Sequence, residues 1–147
     1  MIGLVSDELT RKHYEGVEAD IRKTANLQFI PGVPFFGVEE FFDRAKLLVN
    51  TSLVEGFPNT FIQAMLSGVP LASLSFDPDG IIRGEGLGIP PQEDINRFSE
   101  EIASLLNRPL DLERCKEAAL KYATEHHHIV KGVDLLSEKL RRMLTPS

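Results

Sequence analysis

The sequence predicts an α/β protein with a doubly wound parallel sheet, helices on both faces and a helical C-terminus. Short apolar runs typical of buried strands alternate with segments of helical periodicity, in the order β-α-β-α-β-α-β. The clearest part is the segment 46–75, which reads as strand, loop, helix and strand. Such a unit joins two parallel strands through a right-handed crossover, and the alternation around it extends the same sheet.

Composition narrows the class of protein. The chain has 147 residues, a length that suits one domain with a sizeable core. Its net charge of −6 argues against a nucleic-acid partner. Cys115 stands alone, which excludes an internal disulfide and fits a reducing compartment. No apolar run approaches the roughly 18 residues that a membrane-spanning helix needs, so no membrane span is expected.

Two strands and two helices are expected before the central unit. In chain order, these are a strand at 1–5, a helix capped by Ser6 or Asp7 that runs to about Ala25, a strand at 27–30 and a short helix at 38–44. The residues expected to point inward from the two helices are Leu9, Tyr14, Val17, Ile21, Phe41 and Phe42.

The central unit carries the clearest local signals. Residues 47–49 are apolar in succession, which predicts a strand covered on both faces. Pro58 suits the first turn of the helix, whereas Thr60 and Gln63 have capping-box spacing, so the helix begins at either Pro58 or Thr60. Gly68 fits the left-handed position that ends the helix, and residues 71–74 form the next buried strand.

The loop at 51–57 is a candidate ligand site. It joins a strand to a helix at the carboxyl edge of the sheet, where open α/β sheets bind ligands. Glu55 supplies a carboxylate and Gly56 allows backbone to approach a ligand closely. The free N–H groups at the helix start favour an anion, most often phosphate. On physical grounds alone, a turn followed by an ordinary helix start explains the same residues equally well.

The run from Ser52 to Pro70, SLVEGFPNTFIQAMLSGVP, resembles the signature of glycosyltransferase family 4, the group 1 glycosyltransferases. Their pattern is approximately Ser, two variable residues, Glu-Gly-Phe-(Gly or Pro), a short apolar helix, Glu-Ala-Met and Gly-(Val or Thr)-Pro. The resemblance implies the Rossmann-like C-terminal half of a GT-B enzyme, the domain that holds a nucleoside-diphosphate sugar.

The resemblance also implies residue roles in retaining transfer of a sugar to a glycan or other acceptor. Glu55 is the expected catalytic residue, contacting hydroxyls of the donor sugar. The expected sugar- and phosphate-binding residues are Glu55, Gly56, Phe57, Pro58, Asn59 and Thr60. Gln63 is expected to bind the ribose, although the family has a glutamate at this position. Neither a cofactor nor a metal is expected.

By the same resemblance, a complete donor domain would begin with a further strand and helix carrying basic residues. The chain at 1–147 is therefore expected to be one domain of a longer hexosyltransferase of polysaccharide biosynthesis, or a degenerate remnant. The N-terminal domain, which would receive the glycan or lipid-linked acceptor, is absent, so this piece alone is expected to be inactive. The location implied is cytoplasmic or membrane-peripheral. The alternative is a non-catalytic or regulatory domain of the same fold, which Gln63 and the missing basic residues favour.

The rest of the chain offers weaker signals. Asp77 and Asp79 form an Asp-x-Asp pair that suggests a metal, but Pro78 between them makes an ordinary turn more plausible. Residues 126–128 are three adjacent histidines, predicted to form a solvated helix junction. Three helical stripes are expected to face the core, namely Ile95, Phe98, Ile102, Leu105 and Leu106; Leu112, Cys115, Ala119 and Tyr122; and Val133, Leu136, Leu140 and Met143. By family resemblance, Leu136, Leu140 and Leu144 are expected to be partly exposed.

Overall fold

The computed structural model describes residues 2–3, 8–31, 33–34, 37–53, 55–92, 94–127 and 129–144. The chain forms two compact units, residues 1–41 and residues 42–147. In both units the strands are parallel and alternate with helices along the sequence. The predicted fold class, α/β with Rossmann-like parallel strands and a helical C-terminus, is confirmed.

The first unit is one strand–helix–strand element. Strand β1 (Ile2–Gly3) pairs in parallel with β2 (Ile30–Pro31), and helix α1 (Glu8–Lys23) connects them in sequence. Ile21 is buried, as its spacing predicts, but Val17 on the same predicted face is exposed. The second strand begins later than expected because Leu27 belongs to a turn, where its N–H donates to the Thr24 carbonyl oxygen. The predicted caps Ser6 and Asp7 lie outside the described residues.

The second unit contains a three-stranded parallel sheet in the order β3-β4-β5. Its strands are β3 (Leu48–Asn50), β4 (Leu71–Ser73) and β5 (Gly88–Ile89). The short helix α2 (Glu39–Phe42) precedes them, and Phe42 is buried as predicted. Helix α3 (Asn59–Leu66) connects β3 to β4, whereas a 3₁₀ turn (Pro78–Gly80) and helix α4 (Ile81–Gly84) connect β4 to β5.

Strand β4 is the most buried strand of the sheet. All three of its residues are buried, and successive side chains of a strand point to opposite faces, so β4 is covered on both sides. Strand β3 differs, because Val49 is 45% exposed. The prediction that residues 47–49 are covered on both faces is therefore wrong at Val49. An apolar run predicts a strand, but it does not reveal which of its faces receives a covering helix.

Backbone geometry explains both ends of α3. Pro58 is the N-cap, with φ −67° and ψ 130°, so the helix begins at Asn59. Both predicted starts are therefore wrong by one residue, because Pro58 precedes the helix and Thr60 is its second residue. At the other end Gly68 has φ +67°, as predicted. The Gly68 N–H donates to the Met65 carbonyl at 2.9 Å and the Val69 N–H to the Ala64 carbonyl at 2.8 Å, which is a Schellman motif.

Gly88 allows β5 to lie directly against β4. It pairs with Leu71 in the parallel ladder and has φ +147°, a conformation that residues with a side chain rarely adopt. A methyl group at this position would overlap the Leu71 carbonyl oxygen and lie 2.9 Å from its backbone nitrogen. The strand pair therefore depends on the absence of a side chain here.

Three helices complete the second unit, α5 (Ile95–Leu106), α6 (Pro109–His126) and α7 (Ile129–Leu144). One core cluster joins the sheet to α5 and α6 through Ala72, Ile89, Phe98, Leu105 and Leu112. Four predicted core positions are instead exposed, namely Ile95, Leu106, Val133 and Met143, and Leu136 and Leu140 are exposed too. Periodicity identified the apolar side of each helix, but no described neighbour covers these residues. Exposure of Leu136 and Leu140 was expected, and Leu144 lies outside the described side chains.

Within the described residues, no helix is long and apolar enough to cross a membrane.

Candidate functional site

Two loops leave the sheet side by side. Asn50 ends β3 and pairs with Ser73, which ends β4. The Leu74 N–H also donates to the Asn50 carbonyl oxygen at 2.9 Å, so the two chain segments stay together just beyond the strands. The candidate loop after β3 and the loop after β4 therefore share the carboxyl edge of the sheet, where ligands of open α/β sheets bind.

Glu55 is held by the end of β3. The Asn50 side chain accepts a hydrogen bond from the Ser52 N–H at 2.7 Å, which turns the loop back on itself. Its Nδ2 group donates to Glu55 Oε1 at 3.4 Å, a long hydrogen bond. The Glu55 side chain is exposed and keeps further acceptor sites for a ligand. Asn50 thus orients the one carboxylate of the described part of this loop.

The start of α3 presents backbone donors beside that carboxylate. The N–H groups of Asn59 and Thr60 have no carbonyl partner within the helix, because they lie in its first turn. Pro58 supplies no N–H but is buried and fixes the direction in which the helix begins. Gln63 follows Asn59 by four residues and therefore lies on the same side of the helix, where it is half-buried.

The loop after β4 is attached to α3 by aromatic packing. The rings of Phe61 and Phe76 are stacked, with centroids 5.7 Å apart and planes inclined by 7°. Phe61 is fully buried, whereas Phe76 is half-buried. The two loops at the carboxyl edge are thus linked through the helix that carries the candidate site.

Asp77 has a structural role. Its carboxylate accepts hydrogen bonds from the backbone N–H groups of Ile82, at 2.8 Å, and Arg83, at 3.0 Å, so it caps the start of α4. Asp79 instead occupies the turn, in the left-handed conformation with φ +53°. Within the described residues, no group of three or more His, Cys, Asp or Glu side chains is arranged to hold a metal ion.

This capping role has a measurable consequence. Asp77→Ala is expected to lower the free energy of unfolding by about 1 kcal/mol, since the two N–H groups of α4 lose their acceptor. Urea denaturation followed by circular dichroism measures the change. Asp79→Asn is the matched control in the same turn and should stay near the wild-type value, because asparagine tolerates the left-handed conformation. Equal stability of Asp77→Ala and wild type would contradict the capping role.

The three histidines differ from one another. His126 ends α6 and is exposed, whereas His127 is half-buried, with its ring centroid 5.0 Å from that of Phe57 in the candidate loop. Burial, and to a smaller extent His126, lowers the pKa of His127. The prediction of a helix junction is confirmed, but the prediction that it is solvated is wrong for His127, because its ring packs against aromatic neighbours. His128 lies outside the described residues.

Comparison with models of known protein families identifies the family of this chain. The family model described as "Glycosyl transferases group 1" matches residues 4–122. The chain belongs to the group 1 glycosyltransferases. The match includes the whole candidate loop, α3 and the sheet of the second unit. A search of curated proteins returns no match for this glycosyltransferase chain.

Solved structures share its fold. The group 1 chain is similar to the crystal structure of a mutant of S. aureus TarM in complex with fondaparinux, α-GlcNAc-glycerol and UDP. The TM-score is 0.74 at 18% sequence identity, and the similarity covers 98% of this chain and 29% of the TarM chain. At this identity the likeness establishes a common fold, and this glycosyltransferase chain spans less than a third of the length of TarM.

The structure thus brings the predicted site residues of this glycosyltransferase chain, from Glu55 to Gln63, to one edge of the sheet. Sequence reasoning missed three contributors to this region: Asn50, Phe76 and His127. Asn50 carried a local signal, because an asparagine at a strand end often closes the following turn. Phe76 and His127 carried no such signal, because the residues that they contact, in α3 and in the candidate loop, are distant from them in sequence.

Proposed function

We propose that this chain is the donor-binding, C-terminal half of a retaining GT-B glycosyltransferase of family 4. It would transfer a hexose from a nucleoside-diphosphate sugar to a glycan or lipid-linked acceptor. One observation carries the proposal, namely that an exposed carboxylate, Glu55, and the uncapped start of α3 lie together at the carboxyl edge of the sheet. Membership of the group 1 family and the fold shared with TarM, whose crystals hold UDP, support it.

The chemistry assigns a role to each part of the loop. When the bond to the sugar breaks, negative charge grows on the leaving diphosphate, and preorganised N–H dipoles stabilise it. Gly56, Phe57, Asn59 and Thr60 have backbone N–H groups available for this purpose, whereas Pro58 has none. Glu55 accepts hydrogen bonds from hydroxyls of the donor sugar, and its anionic oxygens can take two at once. No metal or cofactor takes part in this scheme.

Gln63 is assigned to the ribose hydroxyls. Its carbonyl oxygen accepts a hydrogen bond, but the amide lacks the negative charge of the glutamate found in the family. Ribose binding is therefore expected to be weaker than in a family member with glutamate. This substitution also favours the second candidate, a non-catalytic or regulatory domain of the same fold.

The acceptor site belongs, in this proposal, to a domain outside these 147 residues, with the strand and basic residues that complete the donor site. The fact that the chain spans 29% of the TarM chain supports this. The 147-residue chain alone would then bind a donor without turnover. A cytoplasmic or membrane-peripheral place in polysaccharide synthesis is part of the same proposal, and the single cysteine fits a reducing compartment.

Calorimetric titration with UDP, GDP and ADP, and then with their glucose conjugates, tests the donor site. Glu55→Ala is expected to weaken binding of the sugar nucleotide at least about 10-fold, since hydrogen bonds to a charged group are worth about 1.5–3 kcal/mol. It should change the affinity for the bare diphosphate much less. Gln63→Ala should weaken both ligands about 3- to 10-fold, as expected for one neutral hydrogen bond.

Leu53→Ala is the matched control, because Leu53 lies in the same loop and is 77% exposed. Its affinities should equal those of wild type. If Glu55→Ala bound the sugar nucleotide as tightly as wild type does, the proposed role of Glu55 would be wrong. If no nucleotide bound until Gln63→Glu was introduced, the degenerate-domain alternative would be supported instead.

A further inference from the structure

The C-terminal end of α6 meets the candidate loop through aromatic rings. The ring of His127 contacts Phe57 of the loop, with centroids 5.0 Å apart and planes inclined by 48°. It also contacts Tyr122 of α6, at 5.7 Å and 53°. Aromatic pairs at such distances and inclinations attract each other beyond the effect of area burial alone. His127 therefore connects α6 to the loop that precedes α3.

Besides the hydrogen bonds of Asn50 to the Ser52 N–H and the Glu55 carboxylate, few contacts restrain this loop. Glu55 and Gly56 are both exposed, and a Cβ atom built on Gly56 would find no atom within 4 Å. Beyond Glu55, the first side chains that pack inward are Phe57, half-buried, and Pro58, buried. What holds Phe57 thus also holds the backbone of Gly56 and Phe57, which face the proposed ligand.

The main chain fixes His127 itself. It is the C-cap of α6, and its N–H donates to the Ala123 carbonyl oxygen at 2.8 Å. Its Nε2 atom is buried and has no hydrogen-bond partner among the described residues. Burial of an unpaired nitrogen costs free energy, and the cost rises sharply if the ring carries a charge. The neutral ring is therefore the form that fits this position.

We propose that His127 is a positioning residue of the donor loop, whose neutral ring packs on Phe57 and thereby sets the backbone of Gly56 and Phe57 for the ligand. The inference deepens the proposed function and rests on it for the identity of the ligand. His127 contacts no reacting group in this scheme and acts only through Phe57.

Protonation provides a way to perturb the contact. Among the described residues, the His127 ring contacts Tyr122 of α6 and Phe57 of the loop. The titratable group that acts on the pKa of His127 is His126, whereas burial, Glu85 and Asp79 raise the pKa of its neighbour Tyr122. Burial is the larger cause of the lowered pKa of His127, and His126 is the smaller. The ring is neutral above its ordinary pKa of 6.5. As the pH falls from 6.5 through the lowered pKa, the ring gains a charge that burial opposes, so its contact with Phe57 should weaken.

Nuclear magnetic resonance of the ligand-free protein provides the test. The amide signals of Gly56 and Phe57 are followed from pH 8 to pH 5, together with the ring signals of His127. In wild type the amides are expected to shift with the same midpoint as the His127 ring. In His127→Phe, which keeps an aromatic ring but cannot be protonated, this transition should disappear while the amides stay near their wild-type positions at pH 8.

The neighbouring histidine offers the matched control. His126→Gln removes an exposed ring and the smaller cause of the lowered pKa. The transition of the Gly56 and Phe57 amides should persist in this variant, with its midpoint moved toward 6.5. Amide signals that are unaffected by the His127 titration in wild type, or a transition that survives in His127→Phe, would overturn the proposal.

Binding adds a second readout. UDP-glucose, GDP-mannose and ADP-glucose are preferable to bare diphosphates, because the last ionisation of a terminal phosphate lies near pH 6. The sugar nucleotide that binds should bind less tightly at pH 5.5 than at pH 7.5 in wild type, and nearly equally at both in His127→Phe. His127→Ala should bind about 10-fold more weakly even at pH 7.5, because the loop is misplaced.

The amide shifts and the binding affinities together distinguish a failure of this inference from a failure of the proposed function. If the amides follow His127 but none of the three sugar nucleotides binds, the positioning of the loop stands and the donor assignment fails. If a sugar nucleotide binds with the same affinity to wild type, His127→Phe and His127→Ala, and the amides do not respond, the donor assignment stands and His127 has no positioning role.

Discussion

Gly88→Ala is expected to lower the free energy of unfolding by about 2–6 kcal/mol. Two independent causes add. A side chain at φ +147° strains the backbone by about 1–3 kcal/mol, and the new methyl group would overlap the Leu71 backbone, which overpacks the site by about 1–3 kcal/mol more. Since small domains are stable by only about 5–15 kcal/mol, the substitution would remove a large share of the stability of the fold.

Chemical denaturation with guanidinium chloride, followed by circular dichroism, measures this loss. Gly84→Ala is the matched control, because Gly84 lies in α4 on the same β4–β5 connection and its added Cβ would meet nothing within 4 Å. Alanine is a better helix former than glycine, so this control should equal wild type or exceed it by up to about 1 kcal/mol. A Gly88→Ala protein as stable as Gly84→Ala would mean that β5 does not lie against β4 as described.

Phe61→Ala is expected to lower the free energy of unfolding by about 3–5 kcal/mol as well. Phe61 is fully buried, so the substitution loses the burial of an aromatic ring and leaves a cavity under α3. It also removes the stacking partner of Phe76. Since α3 carries the candidate site, weaker donor binding should accompany the loss of stability.

Leu66→Ala is the control on the same helix, because Leu66 is exposed and should change stability by no more than about 0.5 kcal/mol. A double-mutant cycle with Phe76→Ala isolates the stacking contribution, expected at about 0.5–1.5 kcal/mol. Additive losses in the cycle would show that the two loops are not coupled through this ring pair.

Local chemistry made part of this fold predictable. Gly68 terminates α3 in the left-handed conformation, and Pro58 marks where the helix begins, because both constraints lie in the backbone of the residue itself. The strand–helix–strand order around the candidate loop followed from apolar patterning in the same way. The placement of Glu55 at the carboxyl edge of the sheet then required only the topology of parallel strands.

Features that depend on distant neighbours were not predictable. Val49 and Ile95 lie on apolar stripes, yet whether such a residue is buried depends on which other element covers it. The contact between Phe57 and His127 joins segments that are far apart in sequence and share no periodic pattern. Asp77 was recognised as a turn residue, but its two hydrogen bonds to α4 required the path of the chain after Gly80.

The start of α3 differs electrostatically from the starts of α4 and α5. Asp77 caps α4 and Asp94 caps α5, so the chain's own carboxylates offset the positive ends of those two helix dipoles. Helix α3 has no side-chain cap and no acidic residue in its first turn. The protein without ligand therefore lacks the stabilisation of about 0.3–1 kcal/mol that an acidic side chain at this helix terminus would give. An acid at this position would stabilise the free protein, but in the proposed donor site it would repel the diphosphate. On that proposal, the uncapped helix gives up stability in favour of affinity for the ligand.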